Sequence, residues 1–292
     1  ADPVPPLLPT VPRMPWRAVM PAPVDFLLPV ALAALGAVLG VVLGRVVPLF
    51  HAYEYRPDDD SGPPPPTCPH CGGTVPWARW AALPARFAAS GRCPACGLAV
   101  RSPAVVAVLT AVVLAVLGAA ASGSIAGGPV RSPSEVAAFA FLGVWGVLLA
   151  VIDARTHRLP NPLVLPAYPV ALALLGAAAA TTPGGGAALR SALIGMAALW
   201  ACYWLLWFIY PAGMGWGDVK LSGLLGLYLG WTGLGAVASG TFVAFLLSAC
   251  YGLVLIALRR ATRRSQLPFG PFMILGALGV IVAGDPLPAL LG

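Results

Sequence analysis

Charge is what this sequence has least of. Only 9% of its 292 residues are Asp, Glu, Lys or Arg, ten of them acidic, and just three are His. A soluble domain carries roughly a quarter of its residues as charges, so that class is excluded. Polar stretches are scarce as well: the one long polar run covers 48–102, and no glycine-rich nucleotide-binding fingerprint is present. What fills the chain is apolar, 59% of all residues, which makes the class a membrane protein. The formal net charge of +7 would suggest nucleic acid in a soluble protein. Here Lys and Arg are expected in loops on the cytoplasmic side, and no nucleic-acid partner is expected.

A span needs about 20 apolar residues. The sequence offers eight candidates, near 25–47, 103–122, 136–153, 162–180, 188–210, 219–231, 233–258 and 268–284. The predicted fold class is therefore an all-α polytopic bundle in the lipid bilayer. The sixth and eighth candidates are the weakest. The sixth holds Gly223, Gly226 and Gly230 and is short, which suits a helix packed inside protein. Residues 1–24 are expected to form a disordered, Pro-rich tail. The run from Phe26 is too long for a signal-peptide core and is expected to be a retained anchor. A cytoplasmic loop over 48–102, a transmembrane domain over 103–284 and a C-terminal tail over 285–292 complete the predicted organisation.

Sorting cations by loop puts Arg45, Arg56, Arg79, Arg86, Arg92, Arg101, Arg155, Arg158, Lys220, Arg259, Arg260, Arg263 and Arg264 on one side. Arg13, Arg17, Arg131 and Arg190 fall on the other. The positive-inside rule makes the first side cytoplasmic and both termini external. In the first span Gly36, Gly40 and Gly44 share one helical face, where another helix can come close.

The polar loop contains Cys68-Pro-His-Cys71-Gly and Cys93-Pro-Ala-Cys96-Gly. Two such turns complete the tetrahedral four-sulfur shell of structural zinc. Two disulfides are the other reading, disfavoured on a reducing cytoplasmic side. A closed four-sulfur site leaves no open position on the metal, so the ion would shape the loop without doing chemistry. His70 is expected to be a bystander, and Cys202 and Cys250, alone within spans, to be packing residues.

Of the ten acids, only Asp153 and Asp218 lie at cytoplasmic ends of apolar spans amid polar motifs. A carboxylate at a membrane boundary is costly enough to mark function, and each is the other's candidate partner. Asp153 is followed by Pro160 and Asn161. Asp218 sits in Gly213-Met214-Gly215-Trp216-Gly217-Asp218-Val219-Lys220, whose glycines allow close backbone approaches. Two neighbouring carboxylates can share a proton, one activating water and the other holding a scissile carbonyl. Taken alone, the pair suits proton coupling in a transporter equally well. His51 and His157 are expected at the surface, and Lys220 and Asn161 to shape the site.

Gly215-Trp216-Gly217-Asp218-Val219-Lys220-Leu221 resembles the GxGD motif of intramembrane aspartic peptidases, in the form found in prepilin leader peptidases. Asp153 with Pro160 and Asn161, the paired CxxC loop after the first span, and Pro268-Phe269-Gly270-Pro271 before the last resemble that family in its order. The resemblance implies a multi-pass enzyme of the bacterial cytoplasmic (inner) membrane, its active site facing the cytoplasm. Such an enzyme cuts the basic leader from type IV prepilins or pseudopilins. It also implies Asp153 and Asp218 as the catalytic pair, Gly215, Gly217, Lys220, Pro160 and Asn161 as motif-supporting residues, and Cys68, Cys71, Cys93 and Cys96 as zinc ligands. Members with the cysteine loop typically also methylate the new N-terminus with S-adenosylmethionine. This chain departs from the family pattern in lacking an Asn before Arg45 and an acid after Pro103. Those departures bear on methyl transfer more than on proteolysis, leaving a peptidase without methyltransferase, and a transporter or scaffold, as the alternatives.

Overall fold

A computed structural model of the chain describes residues 23–52, 64–77, 87, 90–124, 131–260, 262 and 267–285. Arg13, Arg17, Glu54, Arg56, Asp58, Asp59, Asp60, Arg79, Arg86, Arg263 and Arg264, and nearly all of both expected tails, lie outside the described residues.

Among the described residues the chain forms eight α-helices: α1 Pro23–Leu43, α2 Ala104–Ala121, α3 Pro133–Thr156, α4 Asn161–Thr181, α5 Gly185–Ile209, α6 Trp216–Thr232, α7 Leu234–Ala257 and α8 Gly270–Ala283. Each coincides with one expected span to within a few residues. Six are long and apolar enough to cross a membrane, the 17-residue α6 and 14-residue α8 being shorter. At about 1.5 Å per residue those two reach roughly 26 and 21 Å, short of a hydrocarbon core about 30 Å thick. The protein is a multi-pass membrane protein, and its apolar side chains face outward as well as inward. Phe26, Val30, Val108, Phe208, Phe242 and Leu253 are all more than half exposed, which in lipid carries no hydrophobic penalty.

Small residues set the packing. On α1, Gly36 and Gly40 lie against Thr110 and Ala107 of α2, and Gly44, opening a 3₁₀ turn over Gly44–Leu49, lies against Val106 and Ser102. A Cβ at any of the three would collide with backbone or side chain. The Ser102 hydroxyl ties the pair by donating to the Gly40 carbonyl at 3.0 Å. The helix α6 is central: every residue from Leu221 to Trp231 is buried, and α4, α5, α7 and α8 surround it. Gly226 and Gly230 let it approach Gly195 of α5, the close backbone packing that replaces hydrophobic drive between helices in lipid.

Two local signals bound the helix that carries Asp153. Ser132 accepts the Glu135 N–H, while the Glu135 carboxylate accepts the Ser132 N–H at 2.9 Å, a reciprocal capping box at the start of α3. At its other end His157 turns left-handed (φ 50°), and the buried Pro160 caps α4.

Candidate functional site

The two aspartates arrive from unrelated helices at the same end of the bundle. Asp153 occupies the last turn of α3 and is 5% exposed. Its Oδ2 accepts the backbone N–H of Gly270, the first residue of α8, at 3.0 Å. Helix N-termini present unsatisfied N–H groups and partial positive charge, so α8 fixes this carboxylate from across the bundle. Gly270 leaves the room: a Cβ there would lie 2.7 Å from Asp153 Oδ2.

Asp218 lies in the first turn of α6, half-buried, its Oδ2 accepting the Gly215 N–H at 3.2 Å. The carboxylates are within electrostatic range of one another. His157, exposed as expected, acts on Asp153, and the buried Tyr203 of α5 lies close enough to feel the charge of Asp218. Gly217 is needed for the approach of the two segments, since a Cβ would stand 2.8 Å from that of Leu159. The Gly-x-Gly-Asp spacing thus gives one glycine whose N–H holds the acid and one whose bare Cα admits the chain leaving α3.

Lys220 and Asn161 meet as well, Nζ donating to Oδ1 at 2.6 Å. The Lys220 ammonium also stands 5.7 Å from the centre of the Trp216 ring, and the Tyr168 hydroxyl donates to the Lys220 carbonyl. Sequence reasoning did not foresee Tyr203 or Tyr168. Tyr203 packs on Phe245 and Phe269, with ring centroids 5.9 and 6.2 Å away. Both tyrosines sit inside apolar runs where nothing in the pattern separates them from packing residues.

The four loop cysteines converge. Their sulfurs all lie within 4.8 Å of one another, with Cys68–Cys96 and Cys71–Cys93 at 3.9 Å. A disulfide needs about 2.05 Å, so these are free thiols. A tetrahedron with arms of about 2.3 Å has edges near ~3.8 Å, and the sulfur geometry fits a metal of that size. The two turns are near copies. In each, the first Cys N–H donates five residues on (to Gly73 or Leu98) at 2.9 Å. Its carbonyl accepts the N–H of the left-handed Gly72 or Gly97, and an isolated bridge (Thr67 with Thr74, Arg92 with Ala99) closes the base. His70 N–H and Ala95 N–H point at the Cys68 and Cys93 sulfurs, both at 3.4 Å. Backbone N–H groups, that of Cys96 first and then that of Ala95, pull the Cys93 thiol down to about 6, favouring the thiolate that metals bind. The His70 side chain is exposed, and Cys202 and Cys250 lie exposed on α5 and α7, away from the cluster.

Arg158, just beyond α3, joins the two regions by donating to the carbonyls of His51 at 3.0 Å and Pro64 at 3.5 Å.

Residues 140–257 match the model of the Type IV leader peptidase family. A prepilin leader peptidase/N-methyltransferase of Burkholderia pseudomallei strain K96243 is 34% identical over 238 residues, 78% of this chain and 70% of the relative. The same-named protein of Aeromonas hydrophila is 30% identical over 280 residues, 86% and 88% of the two chains. That of Pseudomonas aeruginosa is 29% identical over 225 residues, 76% and 72%. No solved structure matches the chain at a significant level. With this coverage, running through both aspartate segments, the chain belongs to the type IV leader peptidase family.

Proposed function

We propose that this protein is an aspartic endopeptidase that removes the basic leader from type IV prepilins or pseudopilins, with Asp153 and Asp218 as its catalytic pair. One observation carries the assignment. Two acids 65 positions apart, on α3 and α6, are brought to the same end of the bundle, each with a carboxylate oxygen on a backbone N–H, where the Gly217 Cα packs against Leu159 of the chain leaving α3. In the reaction one carboxylate takes a proton from water, whose oxygen attacks the scissile carbonyl. The other carboxyl, protonated, hydrogen-bonds that carbonyl oxygen, and as the C–N bond breaks the first carboxyl returns the water's proton to the leaving amine. Lys220, Asn161 and Pro160 hold the two segments together, while Gly215 and Gly217 set their spacing. The protein resides in the bacterial inner membrane with this end toward the cytoplasm, where Arg158, Arg259 and Arg260 are also found. There the basic leader is held by the same rule that holds the protein's own arginines.

Residues 48–102 form a cytoplasmic loop braced by structural zinc on Cys68, Cys71, Cys93 and Cys96, and residues 103–284 form the peptidase domain. When bound, the ion supplies rigidity and no open coordination position. N-methylation of the new N-terminus is the second activity in the names of the relatives, and this chain shares it on the same grounds. Neither of the two cavities described fits S-adenosylmethionine. One, of about 250 Å³, is smaller than cofactor sites usually are. The other, of about 520 Å³, is lined by apolar side chains apart from Lys220 and Tyr168 and offers little to hold a charged amino acid and a ribose.

The test is co-expression with a prepilin, reading the mass of the product. The intact chain is expected to remove the leader, and Asp153→Asn and Asp218→Asn, inserted to equal levels, to leave it on. Cleavage by either variant at the native rate overturns the catalytic assignment. A product heavier by one methyl group reports methyl transfer in the same spectrum.

A further inference from the structure

The smaller cavity lies far from the aspartates in sequence, where α1, α2 and the second cysteine turn meet at the membrane boundary. Val41, Ala104 and Ala107 form its apolar side, and Arg45, Arg101 and Ser90 its polar side. Val41 is 47% exposed, so the apolar side opens toward the lipid chains. Arg45 is held in place from below. Gly91, left-handed at φ +63°, lays its bare Cα against the guanidinium, and a Cβ there would stand 2.7 Å from Nη1. Two facts stand out. Among the described residues neither Arg45 nor Arg101 has a hydrogen-bonded or ionic partner, and no acidic side chain lines the cavity. Two other arginines on this face are turned to backbone, Arg158 to the His51 and Pro64 carbonyls and Arg92 to the Gly97 carbonyl.

We propose that this cavity binds the phosphate head of an anionic phospholipid of the cytoplasmic leaflet, Arg45 and Arg101 flanking the phosphate and one acyl chain lying along Val41, Ala104 and Ala107. The chemistry selects the ligand. A planar guanidinium fork matches phosphate oxygens. Basic pockets between transmembrane helices on the cytoplasmic side suit such heads. A cavity of about 250 Å³, apolar on its lipid side, has room for a head group and not for a nucleotide. The bound lipid would cement the α1–α2 pair to the second cysteine turn, and the proposal stands whether or not the peptidase assignment does.

The experiment is native mass spectrometry of the full chain in detergent, titrated separately with phosphatidylglycerol, phosphatidylcholine and inorganic phosphate. One phosphatidylglycerol per chain is expected to survive at concentrations where phosphatidylcholine does not. A juxtamembrane cation contributes about five-fold to anionic-lipid affinity, so Arg45→Gln with Arg101→Gln should weaken retention about thirty-fold. The paired Arg→Lys variant, which keeps both charges, should hold most of it and shows that the fold is intact. Arg259→Gln with Arg260→Gln, on the same face beyond α7, should leave retention unchanged. Equal retention of phosphatidylcholine, an unaffected Arg45/Arg101 double variant, or an equal loss in the Arg259/Arg260 control would each overturn the site. Displacement of the lipid by equimolar inorganic phosphate would overturn the lipid as its ligand.

Discussion

At the scale of single residues, the site depends on atoms that are absent. Gly270 places an N–H, not a side chain, on Asp153, and any Cβ there enters the carboxylate's space. Gly270→Ala should therefore shift Asp153 by a few tenths of an ångström or more and weaken its hydrogen bond. Misplacement on the scale of 1 Å costs about 100-fold in rate, so leader cleavage should fall 10- to 100-fold, by roughly the same principle. The thermal midpoint should move little, because α8 keeps its remaining packing. A variant cleaving at the native rate would show that α8 does not position the acid. Tyr228 makes the opposite case. Its hydroxyl is fully buried in α6 without a partner among the described residues, while its ring meets Phe139 edge-on at 5.6 Å. An unsatisfied buried hydroxyl costs about 1–3 kcal/mol. Tyr228→Phe is expected to leave stability unchanged or raise it by about 1 kcal/mol, read as the thermal midpoint in detergent. A clear loss would mean that the hydroxyl has a partner, such as a buried water.

At the scale of elements, helices were legible because apolar length is a strong signal, and the cysteine turns because metal geometry dictates their spacing. The two aspartates stood out for a different reason: in so apolar a chain, an acid at the end of a span has few bland explanations. What was hidden is long-range. Nothing near Arg158 in sequence announces His51 and Pro64 as its partners, and nothing near Asp153 announces Gly270, 117 positions away. Helix ends were also soft. The first span was expected over 25–47, whereas α1 ends at Leu43 and tightens to 3₁₀ over Gly44–Leu49, with Pro48 inside. Among the described residues, the cysteine turns have few contacts that would hold them without a metal: two isolated bridges and a few buried side chains, among them Val75, Phe87 and Val100. Structural metal sites in such small units supply the folding energy outright. Chelation, or Cys68→Ser, is therefore expected to release about one zinc per chain and open protease-sensitive bonds between Cys68 and Cys96, with the far-ultraviolet helical signal largely kept. Retained protection after metal loss would mean that the loop folds on its own contacts.

At the scale of the whole molecule, the bundle has two chemically different ends. One holds the aspartates, Lys220 with Asn161, Arg158 and the cysteine turns. The other is a lattice of neutral and paired groups. Ser132 bonds Thr182 at 3.0 Å, Ser134 bonds Thr181 at 2.8 Å, the Trp231 indole donates to Glu135 at 3.0 Å, and Ser239 meets Asp285. Arg131 there is neutralised, lying over the Phe139 ring, 4.0 Å from Glu135 and bonded to the Ile281 carbonyl, while Arg190 of α5 is exposed. These bonds cross-tie α3, α4, α6, α7 and the end of α8 at the end away from the aspartates. In the proposed orientation the aspartate end, rich in cations, faces the cytoplasm. Reporter fusions test this directly. Alkaline phosphatase joined after Gly184, between α4 and α5, should be active because it is exported. A fluorescent protein joined after Arg260, beyond α7, should fluoresce because it stays inside. The reverse pattern would put the aspartates on the outer face, away from any leader held in the cytoplasm by its own positive charge, and the proposed reaction would lose its substrate.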